Sequence, residues 1–181
     1  MSASKLEYRD KIKTTVENGV LRIYFDQGGW SGITWRNRQL RAYVSVKTLK
    51  ELNASGGSDI YIQAGGLTTT DFKMHISGGS DFSGAINAES IEVHASGGSD
   101  MRISGKAVNL KISASGGSDV NGYEMIAENV FISASGGSDA RITATRELGV
   151  ECSGGSDIDY KGNAIIKYKS SSGGSSVSKR N

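Results

Sequence analysis

The chain lacks proline, and it has a single cysteine among its 181 residues. Because proline removes a donor from a strand ladder, its absence is compatible with strands paired along most of the chain. The lone thiol, Cys152, excludes an internal disulfide framework. No apolar run reaches the roughly 20 residues that a membrane-spanning helix needs, so we expect no integral membrane segment.

The chain also lacks a large excess of charge of either sign. There are 21 basic and 19 acidic residues, which leaves a formal net charge of +2. Such a balance gives no overall attraction to nucleic acid, and we expect no nucleic-acid partner. With only two histidines, both in one repeated position, no Ser-His-Asp arrangement can be argued. We therefore expect no catalytic residues and no cofactor.

What the chain does have is glycine and a repeated motif. The motif Ser-Gly-Gly-Ser-Asp occurs six times, and a seventh copy from Ser172 ends in Ser176 instead of Asp. The copies begin 22, 19, 19, 20, 18 and 19 residues apart, starting from Ser55. A period of about 19 residues is typical of a stacked solenoid.

Apolar residues alternate with mostly polar ones before each motif, as in Phe72, Met74 and Ile76. This period of two indicates half-buried strands, and no segment shows the 3.6-residue period of a helix. A coil of about 19 residues is long enough to place each strand in parallel beside its counterpart one repeat later. The sequence therefore predicts an all-β fold, a right-handed parallel β-helix that is a single-stranded solenoid. Each coil is expected to have two short strands and two turns.

The Gly-Gly pairs are expected to form the structural turns, because a tight corner needs positive φ. We expect the Ser and Asp of the motif to close that corner by hydrogen bonds. Stacked carboxylates about 4.8 Å apart would repel by about 1 kcal/mol in water. The turn glycines are Gly56, Gly57, Gly78, Gly79, Gly97, Gly98, Gly116, Gly117, Gly136, Gly137, Gly154 and Gly155.

The ends of the chain depart from the repeat. Asn18-Gly19 between two alternating segments predicts a β-hairpin, and Ala42–Val46 is predicted as a further strand. We assign residues 1–48 to an irregular N-terminal β cap with the first irregular coils, 49–176 to the repeats and 177–181 to a flexible tail, within one structural domain. The alternation in Ile165–Ser170 is out of phase with its turn, which predicts a bulge or a fraying end.

Two columns of residues are weak candidates for metal ligands. Calcium prefers six to eight oxygen ligands, so a turn-closing role for the aspartates is favoured over a calcium site. His75 and His94 fall at the same outward position of successive coils, but no third ligand continues that column, and an incidental surface ladder is favoured. The aspartates are Asp59, Asp81, Asp100, Asp119, Asp139 and Asp157.

One non-repetitive segment combines aromatic rings with cations, and it is the candidate ligand surface. Such a surface binds glycan or anionic polymer, or anchors a protein interface. The alternative, which we favour, is that a tryptophan caps the open end of the solenoid while the arginines stay solvated. The residues are Trp30, Trp35, Arg36, Arg38, Arg41 and Tyr43.

The repeated turns, the segment Asn18-Gly19-Val20-Leu21-Arg22-Ile23 and the closing Ser-Gly-Gly-Ser-Ser-Val-Ser-Lys resemble the putative auto-transporter adhesin, head GIN domain family. The resemblance covers roughly Lys13 to Arg180. It implies a right-handed β-helix, a cell-envelope or extracellular location in Bacteroidetes or related bacteria, and no established catalysis. Family members usually carry more sequence before the equivalent of Lys5, so we expect a missing N-terminal portion.

Two classes of function follow. The first is a non-enzymatic, adhesin-like surface protein that presents a rigid β-helical surface to a glycan or protein ligand. The second is a polysaccharide-binding or polysaccharide-degrading β-helix protein, which rests on fold analogy alone. Solenoid ends and edges also make a homo-oligomer compatible with the sequence.

Overall fold

The computed structural model describes residues 1–3, 6–26 and 40–181. The chain divides into two compact units, Met1–Lys47 and Thr48–Asn181, where we expected one structural domain. Each unit has its own strand pairing, and they are described separately.

The first unit contains a β-hairpin and a second, very short strand pair. Strand β2 pairs antiparallel with β3 around Asn18 and Gly19, whose φ angles are 51° and 77°. Both angles are positive, as a type I′ hairpin turn requires, and the predicted hairpin is confirmed. The elements of this unit are β1 (Ser2–Ala3), α1 (Leu6–Arg9), β2 (Ile12–Glu17), β3 (Val20–Phe25) and β4 (Leu40–Arg41), with β1 and β4 antiparallel.

The prediction of a strand at Ala42–Val46 is wrong. The strand β4 ends at Arg41, and none of the five following residues lies in a strand. All five are exposed, so their alternation buries no apolar side chain. An alternating pattern without a partner strand or a core has nothing that would stabilise it as a strand.

The second unit is a parallel β-helix, as predicted. Its strands follow one another up the stack, and each pairs in parallel with its counterpart one coil away. The strands are β5 (Glu51–Ala54), β6 (Ile60–Tyr61), β7 (Leu67–Ile76), β8 (Phe82–Ala95), β9 (Asp100–Ala114), β10 (Asp119–Ala134), β11 (Asp139–Cys152), β12 (Asp157–Lys161), β13 (Ile165–Ser171) and β14 (Ser176–Lys179).

Equivalent residues of successive coils stack in columns, and the apolar columns fill the interior. One such column runs through Val93, Ile112, Ile132 and Val150, and each of these side chains is fully buried. At the inward position beside the turn, the side chains become small: alanine in three coils and then Cys152, a buried free thiol. The period-2 pattern of the sequence therefore identified the core columns.

Most coils hold one continuous strand where we expected two short strands separated by a variable turn. In β10, for example, ladder pairing with β9 continues from Glu124 to Ala134 after a shift of register between Asn121 and Glu124. A bulge of this kind absorbs extra residues and bends the strand without ending its pairing. The variable corner is thus a bend within a strand.

The second corner of each coil is the Ser-Gly-Gly-Ser turn, where successive backbones approach very closely. The first glycine of every pair has positive φ, for example 78° at Gly136. The second glycine has positive φ only at Gly57 and Gly79. In the middle of the stack, the N–H of the second glycine instead points along the solenoid axis toward the preceding coil. The Gly137 N–H, for example, donates to Gly116 O at 2.7 Å.

The serine of the fourth motif position forms a buried column of hydroxyl groups. In five coils this serine is fully buried. The Ser138 hydroxyl closes its own turn through Ser135 O at 2.9 Å, as the sequence predicted for serine, and it also lies 3.2 Å from Ala114 O of the preceding coil. The serine therefore links coils as well as closing corners. The buried members are Ser80, Ser99, Ser118, Ser138 and Ser156.

The expectation that the aspartates close their own corners does not match their contacts. The Asp139 carboxylate accepts from the Asp157 N–H of the next coil at 3.3 Å, and Asp81 accepts from the Asp100 N–H at the same distance. The column ends where the Ser176 hydroxyl donates to Asp157 at 2.6 Å. Backbone donors and solvent thus offset the repulsion between the stacked carboxylates.

The end of the solenoid holds the predicted bulge. Strand β13 pairs with β11, and the register shifts so that Leu148 faces Ile166 while Gly149 faces Tyr168. Residues 177–181 were expected to be a flexible tail, but β14 pairs in parallel with β12 over Ser176–Lys179. The ladder continues because Ser172-Gly-Gly-Ser makes the same corner as the other copies of the motif.

The two glycines of one corner should differ sharply in their tolerance of alanine. A Cβ at Gly136 would lie 2.8 Å from Gly116 O, a backbone atom, and the residue has positive φ. A Cβ at Gly137 would lie 3.7 Å from the same oxygen, which is an ordinary contact. We expect Gly136→Ala to lower the free energy of unfolding by about 1–3 kcal/mol and Gly137→Ala to change it by less than about 0.5 kcal/mol, measured by urea unfolding. Equal losses would contradict this account.

The buried serines provide a second matched pair. Ser138→Ala removes a hydroxyl that bonds to two coils, and we expect a loss of about 1–3 kcal/mol in the free energy of unfolding. The Ser99 hydroxyl is buried without a hydrogen-bond partner within the described residues. Ser99→Ala should therefore be close to neutral or stabilising in the same urea experiment. A loss at Ser99 as large as at Ser138 would show that both hydroxyls are bonded.

Candidate binding groove

The aromatic and cationic segment predicted as a ligand surface is described only at its end. Trp30, Trp35, Arg36 and Arg38 lie outside the described residues. Arg41 is an exposed residue of β4, and the Tyr43 side chain is also exposed. This candidate surface therefore stays a prediction.

The metal candidates lie along the surface of the β-helix in two separate columns. Within residues 1–3, 6–26 and 40–181, no three His, Cys, Asp or Glu side chains come together as metal ligands. Asp139 instead forms an ion pair with Arg141 at 3.2 Å. The aspartate column thus engages backbone amides and a cation of the chain itself.

The two histidines stack as their shared column predicted. Their ring centroids are 4.5 Å apart and the rings are 6° from parallel. Partial burial lowers the pKa of His75, and the neighbouring His94 and Lys73 lower it further. Folding therefore favours the neutral form of this imidazole.

His94 also lies close to an acidic neighbour in its own coil. Its Nε2 is 3.1 Å from Glu92 Oε1, close enough for an ion pair. The atoms are not aligned for a hydrogen bond, and Nε2 is buried without a bonded partner among the described residues. The distance supports an electrostatic contact only.

A groove that the sequence did not reveal runs along one face of the stack, next to the histidines. It has a volume of about 770 Å³ and extends from Lys50 to Tyr168, across seven successive coils. Its floor is the inward column of Phe72, Ile91 and their successors. Two outward columns form the walls: Asp71, Ser90, Asn109, Asn129 and Glu147 on one side, and Lys73, Glu92, Lys111, Phe131, Gly149 and Tyr168 on the other.

The centre of one wall is an ion-pair cluster around Glu92. Lys73 and Lys111 of the flanking coils approach its carboxylate at 3.4 and 3.3 Å. Burial alone would raise the pKa of Glu92, but its contacts with Lys111, His94 and Lys73 outweigh burial, and the pKa is lowered. Glu92 is therefore a carboxylate, and not a proton donor, near neutral pH.

Aromatic rings occupy the upper part of the same wall. The Phe131 ring lies against Gly149, where a Cβ would be only 2.8 Å from the ring carbon Cδ2. Tyr168, the next member of the column, has 49% of its side chain exposed. Glycine at position 149 thus provides the space in which the Phe131 ring lies.

Amide groups line the opposite wall. Asn129 Nδ2 donates to Asn109 Oδ1 at 2.9 Å, and Arg146 Nε donates to Asn129 Oδ1 at 2.9 Å. These bonds link three successive coils and hold the amides in fixed orientations. The groove therefore combines fixed amides, paired charges and two aromatic rings along the solenoid axis.

The sequence carried a signal for this groove that periodicity alone could not interpret. The members of both columns are outward positions of the repeat, and their mixed chemistry resembled an ordinary solvated surface. The repeat does not predict that two outward columns flank a depression above one buried column. To predict the depression, one must know the shape of each coil in cross-section.

Comparison with known proteins identifies the family. The profile of the family described as putative auto-transporter adhesin, head GIN domain, matches residues 4–164. The chain belongs to this family. Among curated proteins, none matches the sequence.

Three solved structures share the fold. A putative adhesin from Bacteroides fragilis is 21% identical with a TM-score of 0.85, over 94% of this chain and 77% of that one. A putative adhesin from Parabacteroides merdae is 16% identical with a TM-score of 0.70, over 97% and 80% of the two chains. A putative lipid binding protein from Parabacteroides distasonis is 20% identical with a TM-score of 0.64, over 97% and 81%. At these identities the likeness establishes the fold alone.

Among the described residues, no helix is both long and apolar enough to cross a bilayer.

Proposed function

We propose that this chain is a non-enzymatic, adhesin-like protein of the cell envelope or cell surface, and that its groove binds an extended ligand. The observation that carries the proposal is the groove itself, which follows the stacking axis across seven coils. Extended surfaces built from stacked repeats are the surfaces that solenoid proteins use for binding. A ligand of repeating units would meet wall residues of each coil in turn.

The chemistry of the walls favours a glycan ligand. The open Phe131 and Tyr168 rings offer apolar faces, while the Asn109 and Asn129 amides offer fixed hydrogen-bonding groups. Sites of small ligands combine apolar and aromatic walls with a few placed polar groups in this way. Because the lysines and carboxylates of the groove are largely paired with one another, hydroxyl-rich units suit it better than a densely charged polymer.

Rigidity is the second support for a binding role. Apart from Tyr168 on the end strand β13, the wall residues lie on strands that pair with the coils on either side. A wall fixed in this way loses little conformational freedom when a ligand binds, which favours affinity. No catalytic motion is needed for such a role.

The competing function is degradation of a polysaccharide. Glycoside hydrolysis uses two carboxyl groups, and one of them must stay protonated to act as the acid. Glu92, a carboxylate in the middle of the groove, has its pKa shifted the opposite way by its contacts with Lys111, His94 and Lys73. This shift argues against Glu92 as the acid of such a pair.

The envelope location is supported by the family and by the structural neighbours. The family description names an adhesin head, and two solved neighbours from Bacteroides and Parabacteroides are described as putative adhesins. These descriptions support a surface role for this chain.

A glycan array followed by affinity measurements on the strongest hit tests the proposal. We expect Phe131→Ala to weaken binding of that glycan about tenfold, because a central aromatic contact is lost. Tyr61→Ala is the matched control, since Tyr61 is a 71% exposed aromatic residue that does not line the groove. Equal losses for both variants, or no bound glycan, would argue against the groove as the site. Release of reducing sugars from any array polysaccharide would instead establish an enzyme.

A further inference from the structure

The last coil of the solenoid presents an open strand edge. Strand β13 pairs with β11 on one side and β14 pairs with β12, and no further strand pairs with either within the described residues. All seven residues of β13 are exposed, including Ile165 at 65%. An edge of this kind is a template for another strand.

This edge carries charge of a single sign. After Asp159 the sequence contains five cationic residues and no carboxylate side chain. Lys169 and Lys179 make no ion pair within the described residues, whereas Arg180 contacts Asp159 at 3.0 Å. Of the five, Lys167 and Lys169 lie on β13 and Lys179 on β14, while Lys161 lies on β12 and Arg180 follows β14; Lys167 is 3.8 Å from Glu147.

One of these cations occupies a position that belongs to the core. Lys169 is in register with Val150, so it ends the column that runs through Ile112 and Ile132. All the coils from that of Met74 to that of Val150 bury an apolar side chain at this position. The amphipathic pattern of the repeat is therefore broken only where the edge is open.

The charge of the edge argues against a second copy of this chain as its occupant. Two such edges facing each other would bring lysines against lysines, which is destabilising. Stacking the first coil of another copy on this edge in the same register would place Leu52 over Lys169 and bury an unpaired ammonium group, at a high cost.

A lipid surface is also a poor match. Ser172 N donates to Cys152 O of the preceding coil at 3.0 Å. Because backbone groups of a strand alternate in direction, the N–H groups of Lys169 and Ser171 point to the open side. Apolar lipid chains would leave such groups without partners, whereas an added strand would bond them.

We propose that the open edge of β13 and β14 binds an extended, acidic segment of another protein by β-strand addition, with a carboxylate of that segment opposite Lys169. Main-chain hydrogen bonds to the edge hold the segment, and the positive charge of the edge selects an acidic segment over others. The surface adjoins the groove, because Lys167 and Tyr168 of β13 line it, but Lys169 and Lys179 do not.

A model peptide tests this inference on the whole chain. The probe is an end-capped octapeptide of alternating Val and Glu, and the matched probe has Gln in place of Glu. We expect the acidic peptide to bind at low salt and to protect the Lys169 and Ser171 amides from hydrogen exchange, as followed by NMR. The Gln peptide should bind about tenfold more weakly, because it lacks charge complementarity.

Charge-reversal variants localise the effect. Lys169→Glu and Lys179→Glu should each weaken binding of the acidic peptide several-fold. Lys106 is an exposed lysine in an inner coil, and Lys106→Glu should leave the affinity for the peptide unchanged. Phe131→Ala should leave peptide binding unchanged, which separates this edge from the groove. Binding without amide protection, equal weakening by Lys106→Glu, or binding to phosphatidylglycerol vesicles but not to the peptide would each overturn the proposal.

Discussion

The close approach of backbone to backbone at the glycine corners is the constraint on which the β-helix depends. Gly116, Gly136 and Gly154 lie directly above one another, and a Cβ on either of the last two would come within 2.8 Å of a carbonyl oxygen below. The second glycine of each of these corners spans the same gap with a hydrogen bond, such as Gly155 N to Gly136 O at 2.7 Å. A larger side chain at the first position would push successive coils apart at this corner.

Fixed corners place the rest of each coil in register. Every coil begins its strand at the same point of its circuit, so apolar residues stack into continuous buried columns. For the same reason, the serine hydroxyls reach the carbonyl groups of the preceding coil. The outward residues must stack as well, which is how Lys73, Glu92 and Lys111 become neighbours although 19 residues separate each from the next. The groove and the cationic edge are both consequences of this regular stacking.

The repeat made the columns predictable, since a period of about 19 residues and an alternation of two specify which residues share a column and which face inward. The histidine stack followed directly from that reasoning. The dual role of Ser138 did not, because a hydrogen bond to the preceding coil depends on the depth of the corner, which the motif does not encode. The groove was missed for a similar reason: the depression between Asn109 and Lys111 depends on the cross-section of the coil. The failed strand at Ala42–Val46 shows that alternation predicts a strand only where a partner is available.

Native-state hydrogen exchange of the Gly137 amide tests the central claim most directly. If coil-to-coil bonding at the corner holds the stack together, this amide should exchange only through global unfolding of the β-helix, as slowly as the amides of Ile132 and Val150 in the core. Its exchange should then slow or quicken together with theirs as urea is varied. Fast exchange at Gly137 with continued protection of those two core amides would show that the corners are dispensable turns and would contradict the account.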